Sequence, residues 1–273
     1  MYNDKNIIAK QQKLLNGRQM FDVELTTNCN KQCYICPRDK LTRVGQIMPP
    51  EVFDVLCRWL PNDCDVFFAG LGEPLLHKHC IEFVQRLHNT GRKTSIMTNG
   101  KQLSRQTVHK LFAVGLDKLQ ISIVQKIDLH SIEHFMKLIN DQYKDKVVFN
   151  IIKEPNIEEP KDELELLQKN GLSFCIKKVH NRAGMLYLTK QNDETLTCAT
   201  FFCDTFISAK GDIFGCSNDI NGKYCISSID KMSFHELMEY KKRFLGNLHI
   251  CNLCQQCNDE YRLKHFDKNK QYD

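Results

Sequence analysis

Short apolar segments alternate along this chain with longer stretches in which apolar residues recur every three or four positions. Continuous or period-two apolar runs of four to eight residues suit strands, whereas the 3.6-residue repeat suits amphipathic helices. Strands are therefore predicted over residues 21–26, 65–69, 93–98, 118–123, 146–152 and 173–179, and helices over 50–60, 77–88, 104–114, 131–141 and 160–169. The alternation makes six βα-like units in about 190 residues, the pattern of helices laid on a parallel sheet. Eight units close a barrel, so six predict an open or partial one with its chemistry at the carboxyl ends of the strands.

The polar stretch 189–197 ends that alternation. Beyond it come a hairpin over 204–216 turning near Lys210-Gly211, a short helix near 233–243, and most of the clustered cysteines. The expected fold class is α/β: a partial (β/α)6 barrel over residues 1–190, followed by a small α+β domain over 191–273. A chain of 273 residues with 42% hydrophobic content can bury one large core or two modest ones. No solenoid repeat or low-complexity tract interrupts it.

Composition narrows the setting. No run approaches the ~18 apolar residues of a membrane helix, and Lys5, Lys10 and Lys13 break up any signal-peptide core, so a soluble cytoplasmic protein is expected. Thiols stay reduced there, and 14 cysteines then point to metal or cluster ligation more than to disulfides. The net charge of +5 is mixed along the chain. Its one basic run, Lys241-Lys242-Arg243, reads as a solvated helix face, so neither a membrane nor a nucleic-acid partner is expected.

Directly after the first predicted strand, Cys29, Cys33 and Cys36 stand at Cys-x3-Cys-x2-Cys spacing. A loop this short can wrap three thiolates around one face of an iron–sulfur cube, with backbone N–H groups aimed at its sulfides and the fourth iron left open. Structural zinc demands a fourth protein ligand, and no Cys or His follows until Cys57. Three buried structural cysteines fit poorly among Asn, Lys, Gln and Arg neighbours.

In these residues the sequence resembles the radical S-adenosylmethionine (SAM) superfamily, whose mark is this cysteine loop on the first strand of a six-unit partial barrel. Further matches follow in the family's order. Gly70-Leu71-Gly72-Glu73-Pro74 closes the second strand like the family's Gly-Glu-Pro motif, which binds the amino group of the methionine moiety; Thr98-Asn99-Gly100 closes the third; Ser122 lies on the fourth. The resemblance thus implies cofactor contacts at Gly72, Glu73, Pro74, Asn99 and Ser122, and at Tyr34 and Ile35 beside the last cluster cysteine. Gly-Glu-Pro and Asn-Gly are also ordinary turn material, and their order carries the match. Strand parity agrees, since Gln120 and Ser122 face opposite to Leu119, Ile121 and Ile123. Two departures stand out. Ile35 occupies a position usually aromatic in the family, and Val124 one that is commonly acidic.

A second group begins with Cys198 and Cys216 at Cys-x12-Gly-x4-Cys spacing and ends with Cys251, Cys254 and Cys257 at Cys-x2-Cys-x2-Cys spacing. Such a cage suits zinc or a [4Fe–4S] cluster alike. The pattern resembles the twitch or SPASM extension of radical SAM enzymes, which implies an auxiliary [4Fe–4S] cluster. The roughly 76 residues after Thr197 suit the one-cluster twitch form, with Cys198, Cys216, Cys254 and Cys257 as preferred ligands and Cys251 able to replace one of the last pair. Cys203 is expected in the hairpin, simply buried; Cys57, Cys64, Cys80, Cys175 and Cys225 are expected in the core.

The implied chemistry is reductive cleavage of SAM at the first cluster, fed by a donor such as flavodoxin or ferredoxin, and hydrogen abstraction from substrate by the resulting 5′-deoxyadenosyl radical. A fully ligated auxiliary cluster suits an electron acceptor, hence an oxidoreductase acting on a small-molecule sugar, cyclitol or similar alcohol. The resemblance extends to twitch-bearing dehydrogenases of the family that oxidise a secondary alcohol of an aminocyclitol. In His180-Asn181-Arg182-Ala183-Gly184, at the barrel mouth, Arg182 suits a substrate oxygen or the SAM carboxylate and His180 a proton acceptor, although a solvated Arg and a structural His are the plain alternatives. Two competing readings are a peptide-modifying radical SAM enzyme and a non-enzymatic zinc-ribbon binding protein. The first often carries a peptide-binding module of roughly 80 residues where only ~20 precede strand one here.

Overall fold

The structure is a computed structural model that describes residues 5–124, 129–153, 161–186, 198–247 and 250–259. Six strands alternate with helices in the predicted order: β1 (Gln19–Val23), β2 (Cys64–Phe68), β3 (Lys93–Thr98), β4 (Lys118–Ile123), β5 (Val147–Lys153) and β6 (Ser173–Lys178). The intervening helices are α2 (Pro50–Trp59), α3 (Cys80–His88), α4 (Arg105–Ala113), α5 (Leu129–Leu138) and α6 (Lys161–Lys169). All five neighbouring pairs from β1 to β6 are parallel, the open αβ barrel expected from six units. A further helix, α1 (Lys5–Asn16), precedes β1, in a stretch the hydrophobic pattern left unassigned.

Alternation along each strand decides what faces what. Phe21, Val23, Val66, Phe68, Ile96, Leu119 and Ile121 are sealed beneath the helices. Met20, Asp22, Phe67, Met97, Gln120 and Ser122 take the other face and are half-buried. The inner face is therefore mixed and partly polar, and Asn150 Nδ2 donates to Gln120 Oε1 at 2.9 Å across it.

The first strand is predicted to run to residue 26, yet its ladder with β2 ends at Val23. From there the backbone pairs with a returning segment instead: Met48 N donates to Leu25 O at 2.8 Å and Thr27 N to Gln46 O at 2.9 Å. That switch lifts the following cysteine loop off the sheet and over the barrel mouth.

The C-terminal part continues the same sheet. After α7 (Thr200–Cys203), β7 (Asp204–Ile207) lies parallel to β1, and β8 (Asp212–Phe214) and β9 (Cys225–Ser228) add antiparallel strands, giving the order β6-β5-β4-β3-β2-β1-β7-β8-β9. The predicted hairpin turns at Gly211, whose φ of +85° suits glycine. Helix α8 (Phe234–Lys242) starts with a capping box between Ser233 and Glu236, and α9 (Asn252–Gln256) holds Cys254 between its cap residues Cys251 and Cys257.

Four sequence expectations need correction. Lys241 does not lie on a solvated face: it is wholly buried, because α8 turns it onto β7, where Nζ donates to Asp204 O at 2.9 Å and to Thr205 Oγ1 at 2.8 Å. Burial lowers its ammonium to about 8. Cys175 and Cys225 are exposed rather than core, since they sit on the two edge strands of the sheet. Cys203 closes α7 instead of entering the hairpin.

Candidate active site

The cysteine loop, the 70–74 turn and the end of β3 are one hydrogen-bonded unit. Glu73, 2% exposed, accepts from Thr98 Oγ1 at 2.8 Å, Asn99 N at 2.7 Å and Leu75 N at 3.1 Å, while its own N–H donates to Asn28 O at 2.8 Å. Burial pushes its carboxyl up, and those three donors pull it back. Gly72 fits because no side chain can: a Cβ would stand 1.9 Å from Thr26 O. Pro74 is buried and opens a short 3-10 turn.

Asn99 reaches from this unit to the cysteines, donating through Nδ2 to Asn30 Oδ1 at 2.8 Å and to Cys29 Sγ at 3.6 Å. Cys29, Cys33 and Cys36 are half-buried free thiols. Burial raises the Cys33 and Cys36 thiols; Lys31 and Lys101 oppose it at Cys33, and Arg38 and Arg182 at Cys36. Three thiols ringed by cations are a donor set suited to an anionic cluster. Tyr34 is 54% exposed, Ile35 is half-buried, and Ser122 lies on the inner face of β4 beside Asn150.

His180 and Arg182 sit where the chain leaves β6. His180 Nδ1 accepts from Arg182 N at 3.3 Å, and its Nε2 lies 3.7 Å from Asp259 Oδ2. Burial, then the Arg182 charge, lowers the imidazole to about 4, so it is neutral at pH 7. Arg182 and Ala183 have φ of 50° and 52°, a left-handed turn that non-glycine residues adopt at a cost. Hydrogen bonds hold the turn: Asn181 N to Asn258 Oδ1 and Asn181 Nδ2 to Gln256 O, both 2.6 Å, and Asn258 N to Asn181 Oδ1 at 3.2 Å. The Arg182 charge lowers both the Cys36 thiol and the inner-face Asp22 carboxyl, in each case against a larger rise from burial.

The second cysteine group converges. Cys198, Cys216, Cys251, Cys254 and Cys257 line one cavity of about 110 Å³, walled also by Phe201, Ile226 and Phe244. Asn218 N donates to Cys216 Sγ at 3.4 Å and its Nδ2 to Cys257 Sγ at 3.9 Å, while Cys251 and Cys254 Sγ stand 4.0 Å apart. Burial and the neighbouring thiols raise Cys216. Among the described residues, no three Cys, His, Asp or Glu side chains gather closely enough for a single metal ion. Five thiols round one cavity are a donor set for zinc or for a multi-iron group alike.

Sequence reasoning missed Asn28, Thr98 and Asn181 as the hydrogen-bonding struts of these loops, and the pairing of Asp22 with Asp204. Thr98 and Asn181 lay inside motifs already singled out, so their polar side chains at strand ends were the available signal.

These features, a thiol loop on β1 joined to turns after β2 and β3 of a six-unit open barrel, define a class. Residues 23–197 match the radical SAM superfamily, and the chain belongs to it. Among its relatives, the S-adenosyl-L-methionine-dependent 2-deoxy-scyllo-inosamine dehydrogenase of Niallia circulans is 23% identical over 262 residues, covering 88% of this chain and 92% of the relative. A probable GTP 3′,8-cyclase of Methanothermobacter marburgensis is 35% identical over 103 residues, covering 37% of this chain and 33% of the relative, so that match spans only about a third of the cyclase's length. The crystal structure of BtrN in complex with AdoMet and 2-DOIA superposes with a TM-score of 0.70 at 20% identity, covering 89% of this chain and 94% of that one. At that identity the likeness is one of fold.

Proposed function

We propose that this chain is a radical SAM oxidoreductase that removes hydrogen from a small polar alcohol such as a sugar or cyclitol, with an auxiliary [4Fe–4S] cluster on its second cysteine group. The observation that carries the proposal is the convergence of Cys198, Cys216, Cys251, Cys254 and Cys257 on one cavity strapped to the Arg182 turn. Near-full-length similarity to an inosamine dehydrogenase supports the substrate class, as does an inner face bearing Gln120, Ser122 and Asn150.

Cys29, Cys33 and Cys36 would hold the first cluster, whose role when bound is to supply the electron that cleaves SAM; a flavodoxin or ferredoxin would be its donor. Glu73, Asn99 and the 70–74 backbone fix the position of the methionine moiety. Arg182 orients a substrate oxygen beneath the cysteine loop, and its planar fork suits two contacts at once. His180, neutral and accepting through Nδ1, holds the Arg182 turn rather than taking a substrate proton. The C-terminal strands and loops cover the barrel flank and exclude water from the reacting C–H bond.

Anaerobic reconstitution tests the proposal. Two clusters should give about eight iron and eight sulfide per chain. Reduced enzyme with SAM should release 5′-deoxyadenosine, and Cys33→Ala should abolish the release. About four irons, or stoichiometric zinc, would remove the auxiliary cluster from the reading. Turnover of an aminocyclitol panel to ketones would fix the substrate class; no oxidation product from any member would overturn it.

A further inference from the structure

Glu24 is fully buried one residue past the end of β1, a position no motif assigns. A carboxylate so placed must be paired and hydrogen-bonded to be tolerated. Arg43 meets it with both terminal nitrogens, Nη2 at 3.2 Å from Oε1 and Nη1 on Oε2, and Leu71 N donates to Oε1 at 3.1 Å. The guanidinium is enclosed as well: its Nε donates to Ile220 O at 2.5 Å, and its carbon lies 5.7 and 5.5 Å from the stacked rings of Phe206 and Phe214.

Four parts of the chain meet at this pair: the end of β1, the segment after the cysteine loop, the 70–74 turn, and the loop between Cys216 and Cys225. The turn is pressed directly onto the carboxylate, since a Cβ on Gly70, at φ +130°, would stand 2.8 Å from Glu24 Cγ. Leu71 is the neighbour of Gly72, so the Leu71 N–H bond to Glu24 sets where the following backbone runs. An aspartate would fall short of Leu71, and a lysine in place of Arg43 would satisfy one contact where a fork now makes three.

We infer that Arg43 and Glu24 are a positioning pair that presets the 70–74 turn for the methionine moiety of SAM and ties that turn to the loop carrying Cys216. Both act through the turn, by way of the Leu71 N–H bond to Glu24. The inference rests on the 70–74 turn being the SAM-binding turn, and the experiment separates the two.

Arg43→Lys and Gly72→Ala are compared with wild type, each loaded with its first cluster, for SAM affinity by equilibrium dialysis and for 5′-deoxyadenosine formation. Arg43→Lys should raise the SAM Kd and KM about tenfold while iron content and kcat at saturating SAM stay within about twofold, the signature of lost ground-state positioning. Unchanged SAM affinity in Arg43→Lys, with weakened binding in Gly72→Ala, overturns the inference alone. Unchanged affinity in both removes the turn from the SAM site. Should Arg43→Lys fail to fold, hydrogen exchange on wild-type protein decides: the Leu71 amide should be protected without SAM, and exchange at the rate of a free loop amide overturns the inference.

Discussion

Asp22 on β1 and Asp204 on β7 both face the barrel interior, and they titrate as a pair. Thr205 N donates to Asp204 Oδ1 at 2.7 Å, so Asp204 is the member supported as an anion. Burial and then the neighbouring Asp204 charge hold Asp22 well above the usual carboxyl range, with Lys177 and Arg182 pulling the other way; burial likewise raises Asp204 to about 6. Because the native state keeps protons that the unfolded chain releases near pH 4, the stability from this pair is present below pH 4 and lost as pH rises through about 6. Asp22→Asn should therefore match wild type in Tm at pH 4 and exceed it at pH 8 by a few degrees, each kcal/mol being worth roughly 2–4 °C in a chain of this size. A variant that is less stable at pH 8 would refute the shared proton. At this scale the cysteines were legible, because thiol spacing carries coordination chemistry directly. Asp22 and Asp204 were not: strand parity tells which face an acid takes, while the meeting of two acids depends on a register between strands 180 residues apart.

At the scale of elements, hydrophobic period predicted the six parallel strands and the five helices between them, since each needs one sealed face and one open one, and it left α1 unassigned. What the pattern could not show was a change of partner. Residues 24–27, Glu-Leu-Thr-Thr, continue the alternation of the strand but leave β2, and Leu25 and Thr27 pair with the 46–48 segment just before the cysteine loop. The charge run at 241–243 misled for a related reason, because a helix carries one face inward whatever the local composition, and the inward residue here is Lys241. The capping box of α8 is independent of all this. Ser233→Ala should cost about 1 kcal/mol and lower Tm by a few degrees, with 5′-deoxyadenosine formation unchanged. Loss of that activity in a folded variant would show that α8 reports to the active site through Lys241.

At the scale of the molecule, the sheet does not stop where the βα repeats do. Parallel pairing of β7 with β1 buries Phe206 and Ile207 against the barrel and covers what would be an open edge beside Phe21 and Val23. A shortened chain ending at residue 197 is therefore expected to expose that edge and aggregate, and the whole chain to unfold in one calorimetric transition. A soluble, SAM-binding fragment 1–197 would contradict this. Among the described residues, no helix is long and apolar enough to cross a membrane.

The seam between Asn181 and residues 256–258 has a further consequence for how such an enzyme matures. Three hydrogen bonds stitch the final thiols to the same turn that presents Arg182, so the tail that walls the second cavity cannot swing aside without loosening the barrel mouth. Were the proposed auxiliary cluster to occupy that cavity, its iron and sulfide would have to arrive before the seam knits, and insertion into the finished protein would be slow.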